Sequence, residues 1–329
     1  MAMNVLFIGG TGQISLSCVE RAVAAGHRVS VFNRGLADAS LPGSVEAISG
    51  DMRSADSYAA LGKRSFDVVC QFMVFTPEQM ALDLATFAGR AGQYVFISSA
   101  SVYQKPARHH VITERTPAIN PYWDYSQRKI ACEHMVQAAR NLPWTIVRPS
   151  HTVRTGLPTM MNEGDLVARR MLAGKPVLVC GDGTTPWTLT RSADFAVPFV
   201  NLLGAKGALG EVFHITSDNA YTWNAIYSAI AAGLGVEADI VHVTTDTLVK
   251  FQPAWEGPLM GDKTWAALFD NFKVKAIAGD FSCAEPLDVV LAESIMHFKK
   301  RNAAGGHQDG EMDALMDTIA AAQRALGPH

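Results

Sequence analysis

An α/β fold, with a parallel sheet covered by helices on both faces, is predicted by two observations. Short apolar strands alternate with helical segments over the first 150 residues, and the first strand runs straight into a glycine-rich turn and a helix. Val5-Leu6-Phe7-Ile8 reads as a buried parallel strand, Gly9-Gly10-Thr11-Gly12 as a tight turn, and Ile14 to Ala25 as a helix by its periodicity. Such a turn aims backbone N–H groups and the positive end of a helix at a pyrophosphate. Ser15 stands where the dinucleotide fingerprint prefers glycine or alanine, and it is small enough to pack there.

The remaining elements follow in order. Val29-Ser30-Val31-Phe32 is a second strand ending at Asn33-Arg34, and Val45 to Ser49 is a third, leading to Asp51-Met52. In a dinucleotide fold the end of the second strand reaches the adenosine ribose. A carboxylate there accepts from both hydroxyls, whereas an arginine meets a 2′-phosphate. Asn33-Arg34 offers no carboxylate, which favours NADP over NAD. Asp51 is placed for the adenine amino group, or as an N-cap for the helix after Ser54. Phe66 to Met73 and Tyr94 to Ser99 are the fourth and fifth strands, with a helix opening at Thr76-Pro77 between them. Ligands bind outside the carboxyl ends of such strands, so one crevice can gather Gly9, Thr11, Gly12, Gln13, Ile14, Asn33, Arg34, Asp51, Met52, Phe72, Ser98 and Ser99. The segment 104–121, with its prolines and His109-His110, reads as an exposed loop. A helix from about Trp123 then sets Tyr125 and Lys129 four residues apart on one face, where an ammonium would lower the phenol's pKa toward neutrality.

Composition narrows the class. The 329 residues are 48% hydrophobic and 18% charged with a net charge of −3, an ordinary globular balance with no general affinity for nucleic acid or anionic membrane. The five cysteines are widely spaced without a metal-ligand pattern and read as buried thiols. The first strand begins within a few residues of Met1, and no apolar run is long enough to span a bilayer, so a cytoplasmic location is expected.

Taken together, Gly9-Gly10-Thr11-Gly12-Gln13-Ile14, Gly50-Asp51-Met52-Arg53, Ser98-Ser99-Ala100-Ser101-Val102-Tyr103, Tyr125-Ser126-Gln127-Arg128-Lys129 with Glu133, and Arg148-Pro149 resemble the extended and atypical short-chain dehydrogenase/reductases, the NAD-dependent epimerase/dehydratase family. Gly181-Asp182-Gly183 with Asp194, and Gly210 to Ile215, extend the likeness to roughly residue 300. The resemblance implies a Rossmann-type doubly wound sheet over 1–150, rejoined by a strand near 210–216. It also implies a smaller substrate-binding cap over 151–300, with a linker and C-terminal helix at 301–329, and a homodimer. Ser99, Tyr125 and Lys129 would be catalytic, with Tyr125, Lys129 and Pro149 also touching NAD or NADP. The substrate would be a sugar, in this family commonly a nucleotide sugar, with Ser101, His151, Arg154, Trp187 and Arg191 as candidate contacts. Two of these depart from the sugar-nucleotide enzymes: His151 replaces an amide, and Trp187 stands where an arginine meets the diphosphate. The alternatives are an NADPH-dependent reductase of a small carbonyl metabolite, or a non-catalytic dinucleotide-binding regulator or RNA-associated protein.

Overall fold

The computed structural model describes residues 1–35, 40–305 and 309–326. Seven parallel strands form one sheet. Strands β1 (Asn4–Ile8), β2 (Arg28–Asn33), β3 (Glu46–Ser49), β4 (Phe66–Gln71) and β5 (Ala91–Ile97) lie in the order β3-β2-β1-β4-β5. The strands Trp144–Pro149 and then Glu211–Ile215 extend the sheet beyond β5. Chain direction across the sheet reverses at β1, where Ile8 lies between Phe32 of β2 and Gln71 of β4. A reversal of this kind leaves a crevice at the carboxyl ends of the strands.

Alternation along β1 explains why both faces of the sheet are covered. Val5 and Phe7 enter one core with Cys18, Val19 and Phe199, while Leu6 and Ile8 enter another with Tyr58, Tyr94 and Phe96. Helix α1 (Ser15–Ala24) buries Leu16, Cys18 and Val19 on the first face and meets the helix Ser192–Leu202, where Ser17 Oγ lies 2.7 Å from Ser192 Oγ. Helix α2 (Ala55–Leu61) and helix α3 (Pro77–Phe87) cover the other face; Thr76 and Gln79 exchange backbone and side-chain hydrogen bonds in a capping box at the start of α3. Helix α4 (Asp124–Ala138) lies alongside and carries Tyr125, Lys129 and Glu133.

A separate hydrophobic cluster is drawn from residues between Val153 and Ala320, among them Val167, Trp187, Trp223 and Leu291, while Phe199 and Phe213 join the core of the sheet. The helix Leu287–Ala303 includes Arg301, so the linker expected from that residue begins later; Arg301 bonds Asp165 at 2.7 Å, and 306–307 lie outside the described residues. The helix Gly310–Arg324 packs on its own chain, burying Met316 and Ile319 while Asp313 and Asp317 hold the buried Arg170 at 2.5 and 2.6 Å. Among the described residues no helix is long and apolar enough to cross a membrane, and all five cysteines are buried and free of disulfides.

One buried carboxylate under the sheet makes stability pH-dependent. Asp83 is fully buried and accepts from the Tyr58 hydroxyl, from Gln71 Nε2 at 2.5 Å and from the Tyr94 hydroxyl at 2.7 Å. Burial outweighs these bonds and pushes its pKa from 3.8 up to about 6. Below pH 4 both folded and unfolded chains hold the proton and there is no penalty. Between pH 4 and 6 the unfolded chain ionises first, so stability falls as pH rises, by about 3 kcal/mol in all. Asp83→Asn removes this term, so the stability of the variant relative to wild type should improve across that window in urea melts. A difference that does not change with pH would contradict the assignment.

Candidate active site

The glycine turn is built tightly. Gly9 takes φ +85°, and a Cβ there would come 2.3 Å from Met73 Cγ; one on Gly10 would come 2.7 Å from Val31 Cγ2. Ser15 is a working part of the turn, because its hydroxyl accepts from the Gly12 N–H at 2.9 Å and donates to the Gly9 carbonyl at 2.5 Å. Sequence reasoning saw only its small size.

The crevice beside this turn encloses about 480 Å³ and is lined by Gly9, Thr11, Gly12, Asn33, Arg34, Asp51 and Met52, all expected there. Arg53, Met73 and Phe75 line it as well and were not singled out, although Arg53 follows directly on Asp51-Met52. Asp51 is bound by Arg53, Nη2 to Oδ2 at 2.7 Å, and this pairing holds its carboxyl down at about 2. Helix α2 starts at Ala55, so Asp51 is not its N-cap. Three expected residues face elsewhere. The Phe72 ring packs against the core, stacked 6.1 Å from Phe7 and tilted 5.7 Å from Phe199. Ile14 packs against the same core. The Gln13 carboxamide oxygen accepts from Thr155 N at 3.0 Å and Oγ1 at 2.8 Å, tying the turn to a segment 142 residues away.

At the end of β5, Ser98 is buried and its hydroxyl has no hydrogen-bond partner among the described residues. Ser99 and Ser101 hydroxyls lie 2.9 Å apart, and Ser126 Oγ donates to Ser101 Oγ at 2.8 Å. The Tyr125 side chain shares the second pocket with Ser99, which acts to lower the phenol's pKa. Lys129 is 2% exposed and donates from Nζ to the carbonyls of Val74 at 2.7 Å and Ile97 at 2.9 Å. Burial pulls its pKa down to about 8. The expectation that Lys129 brings the Tyr125 pKa toward neutrality is not met in this arrangement: Nζ sits 6.0 Å from the ring centre, and burial pushes the phenol up, with the nearby Ser99 acting the other way.

A second pocket, of about 350 Å³, adjoins these side chains and contains Ser99, Ser101, Tyr125, Pro149, His151 and Trp187. Trp187 Nε1 donates to His151 Nδ1 at 3.1 Å, and burial drives the imidazole pKa down to about 3, so His151 is neutral and carries its proton on Nε2. Arg154 and Arg191 do not line the pocket. Arg154 reaches back to the glycine turn, with Nη2 3.5 Å from the Gly12 carbonyl, and Arg191 sits between Asp194 and Glu285 at 3.6 and 3.8 Å. The charged residues that do line it are Lys105, Asp262 and Lys263, none foreseen. Lys105 comes from the segment read as an exposed loop, of which His109 and His110 are exposed while Lys105 and Asn120 are buried.

The family model of the NAD dependent epimerase/dehydratase family matches residues 5–216. The chain belongs to this family. Two relatives, each 28% identical, are a 2′-dehydrokanamycin reductase of Streptomyces kanamyceticus, aligned over 74% of this chain and 70% of its own length, and a chloroplast stem-loop binding protein of 41 kDa of Arabidopsis thaliana, aligned over 73% and 65%. The chain thus spans just under two thirds of the second. Among solved structures, the UDP-glucuronic acid 4-epimerase of Bacillus cereus in complex with NAD superposes with a TM-score of 0.71 at 18% identity, covering 92% of this chain and 98% of that one. As a member of the epimerase/dehydratase family the chain is an NAD-dependent oxidoreductase of the short-chain dehydrogenase/reductase type with a Rossmann-like sheet.

Proposed function

We propose that the enzyme carries out tyrosine-assisted hydride transfer at a hydroxyl-bearing or carbonyl carbon of a sugar-derived substrate, with Ser99, Tyr125 and Lys129 as its catalytic residues. The observation that supports this reading is the convergence of Ser99 and Tyr125 on the second pocket, with the Lys129 ammonium, one helical turn from Tyr125, held by two backbone carbonyls. The residues present fit a dinucleotide. The positive-φ Gly9 leaves room that a Cβ would fill, and the Ser98 hydroxyl, buried just past the end of the fifth strand, has no partner among the described residues. When bound, the nicotinamide supplies the hydride acceptor or donor. Tyr125 passes a proton to or from the substrate oxygen, Ser99 orients that oxygen, and the remaining N–H of Lys129 is available to a ribose hydroxyl.

Arg34 and Arg53 flank the adenosine end, and the nearby carboxylate, Asp51, is paired with Arg53. This supports NADP, because a guanidinium meets a 2′-phosphate bidentately. Denaturing the purified protein and identifying any released dinucleotide by mass spectrometry tests both cofactor and cycle. A retained dinucleotide indicates internal recycling, as in epimerisation or dehydration; an empty protein that consumes NADPH steadily indicates net reduction, the reading favoured by the Streptomyces relative's name. Arg34→Ala should cost at least about tenfold in NADP affinity and leave NAD affinity within a few-fold. An equal loss for both cofactors would remove the 2′-phosphate role. Among the described residues no arginine lines the second pocket, which favours a substrate smaller than a nucleotide sugar.

A further inference from the structure

The pocket beside Tyr125 holds two ammonium groups that form no ion pair with any described residue. Lys105 and Lys263 both line it, although they are only 3% and 5% exposed. Neither ammonium makes a hydrogen bond, or an ion pair within 4.0 Å, with any described residue. The contact recorded for Lys263 is with an aromatic face, Nζ lying 5.8 Å from the Trp123 ring centre. One carboxylate, Asp262, shares the lining and acts on both lysines from beyond pairing distance. A second carboxylate, Glu163, acts on Lys263 from outside the lining, and neither forms an ion pair with a lysine, so both ammonium groups face the pocket without a direct partner among the described residues. A buried ammonium without a direct partner is costly, and an anion entering the pocket to pair with both lysines would offset that cost.

Lys263 and Asp262 lie in a π-helical turn, Leu259–Lys263, a wide geometry that proteins use sparingly and often at functional sites. Lys105 lies in the segment between the fifth strand and α4. Segments far apart in sequence therefore converge on the space that also contains Ser99, Ser101 and Tyr125. At about 350 Å³ the pocket is at the lower end of the range for small-molecule sites, a size suited to a monosaccharide-sized ligand. Trp123, Trp187 and Phe269 supply its apolar wall.

We propose that the substrate is anionic, carrying a carboxylate or a phosphate monoester that is bound by Lys105 and Lys263 in the pocket where Tyr125 meets the reacting carbon. The inference rests on the reading of this pocket as the substrate site. It narrows the substrate class to sugar acids, sugar phosphates and hydroxy acids of similar size. Both lysines are held uncharged more readily than usual by burial, which the anion reverses.

The test uses the full chain and does not depend on turnover. D-glucuronate, D-glucose 6-phosphate and neutral D-glucose are titrated against tryptophan emission, which Trp123 and Trp187 make sensitive to pocket occupancy. At least one of the two anions should bind about tenfold or more tightly than glucose, and Lys105→Met and Lys263→Met should each abolish that preference. Preference for glucuronate identifies a carboxylate, and preference for glucose 6-phosphate identifies a phosphate ester. Lys105→Arg keeps the charge and should retain selectivity, which separates charge from a folding defect. Glucose binding as well as the anions, no binding by either anion in the millimolar range, or selectivity that survives both methionine variants would overturn the proposal. NADP titration of the same samples keeps the two readings apart: dinucleotide binding without anion selectivity rejects only this inference, whereas anion selectivity without dinucleotide binding rejects only the proposed function.

Discussion

Tyr125→Phe should yield a folded protein that binds its dinucleotide within a few-fold of wild type yet turns over about 10³-fold more slowly, the usual scale for removing a general acid–base group. The change deletes one oxygen and keeps the ring, which packs 4.9 Å from Trp123 and 6.5 Å from Phe75. The Ser99 hydroxyl keeps its hydrogen bond with Ser101. Nothing in the glycine turn or the adenosine end is touched, so cofactor affinity is the internal control. The pH profile adds a second check. Burial keeps the phenol protonated through the neutral range, so reduction should proceed without a rise in pH, while oxidation should accelerate as pH rises and the phenolate becomes accessible. Turnover near wild type in the variant would reject the assigned role.

Glu133→Ala should destabilise the fold by about 3–5 kcal/mol, read as a lowered midpoint in urea with an unchanged slope. The Glu133 and Arg148 side chains are 1% and 5% exposed and joined by two hydrogen bonds, Nε to Oε1 at 2.9 Å and Nη2 to Oε2 at 2.5 Å. Arg148 also lies over the Tyr103 ring, 4.7 Å from its centre, and its Nη1 has no partner among the described residues. Removing the carboxylate therefore strands a buried guanidinium. The pair bolts α4 to the strand Trp144–Pro149 one turn beyond Lys129, so the variant should lose catalytic efficiency in step with stability. A loss below about 1 kcal/mol would mean that the guanidinium finds water or another acceptor.

The parts of this molecule that repeat a local rule were legible in the sequence. Apolar runs at Val5, Val29, Val68 and Tyr94 gave the strands, the glycines gave the turn, and the four-residue spacing of Tyr125 and Lys129 put both on one helix face. The lysine pocket was not legible. Lys105 sits in a proline-bearing segment with exposed histidines, and Lys263 in a π-helical turn that no periodicity announces. Both acquire meaning only through tertiary contact. Arg154 and Arg191 failed for the converse reason: residue type suggested an anion partner, but neighbouring main chain and carboxylates had already engaged them. Ser15 shows a third case, in which small size was visible and its two hydrogen bonds were not.

The tryptophans near the pocket have an optical consequence. Trp123 faces Tyr125 and Lys263, and Trp187 lies 5.2 Å from Trp223 while bonded to His151. A ligand that displaces water from these indoles must shift their emission, and the close Trp187–Trp223 pair should give a coupled near-ultraviolet dichroism band that reports any change in its tilt. A reduced dinucleotide in the adjoining crevice absorbs where tryptophan emits, so its arrival should quench Trp123 by energy transfer. The protein thus carries two unlabelled signals, an emission shift for the substrate pocket and energy-transfer quenching for the dinucleotide, and the order in which cofactor and substrate enter can be followed in a stopped-flow trace without modifying the chain.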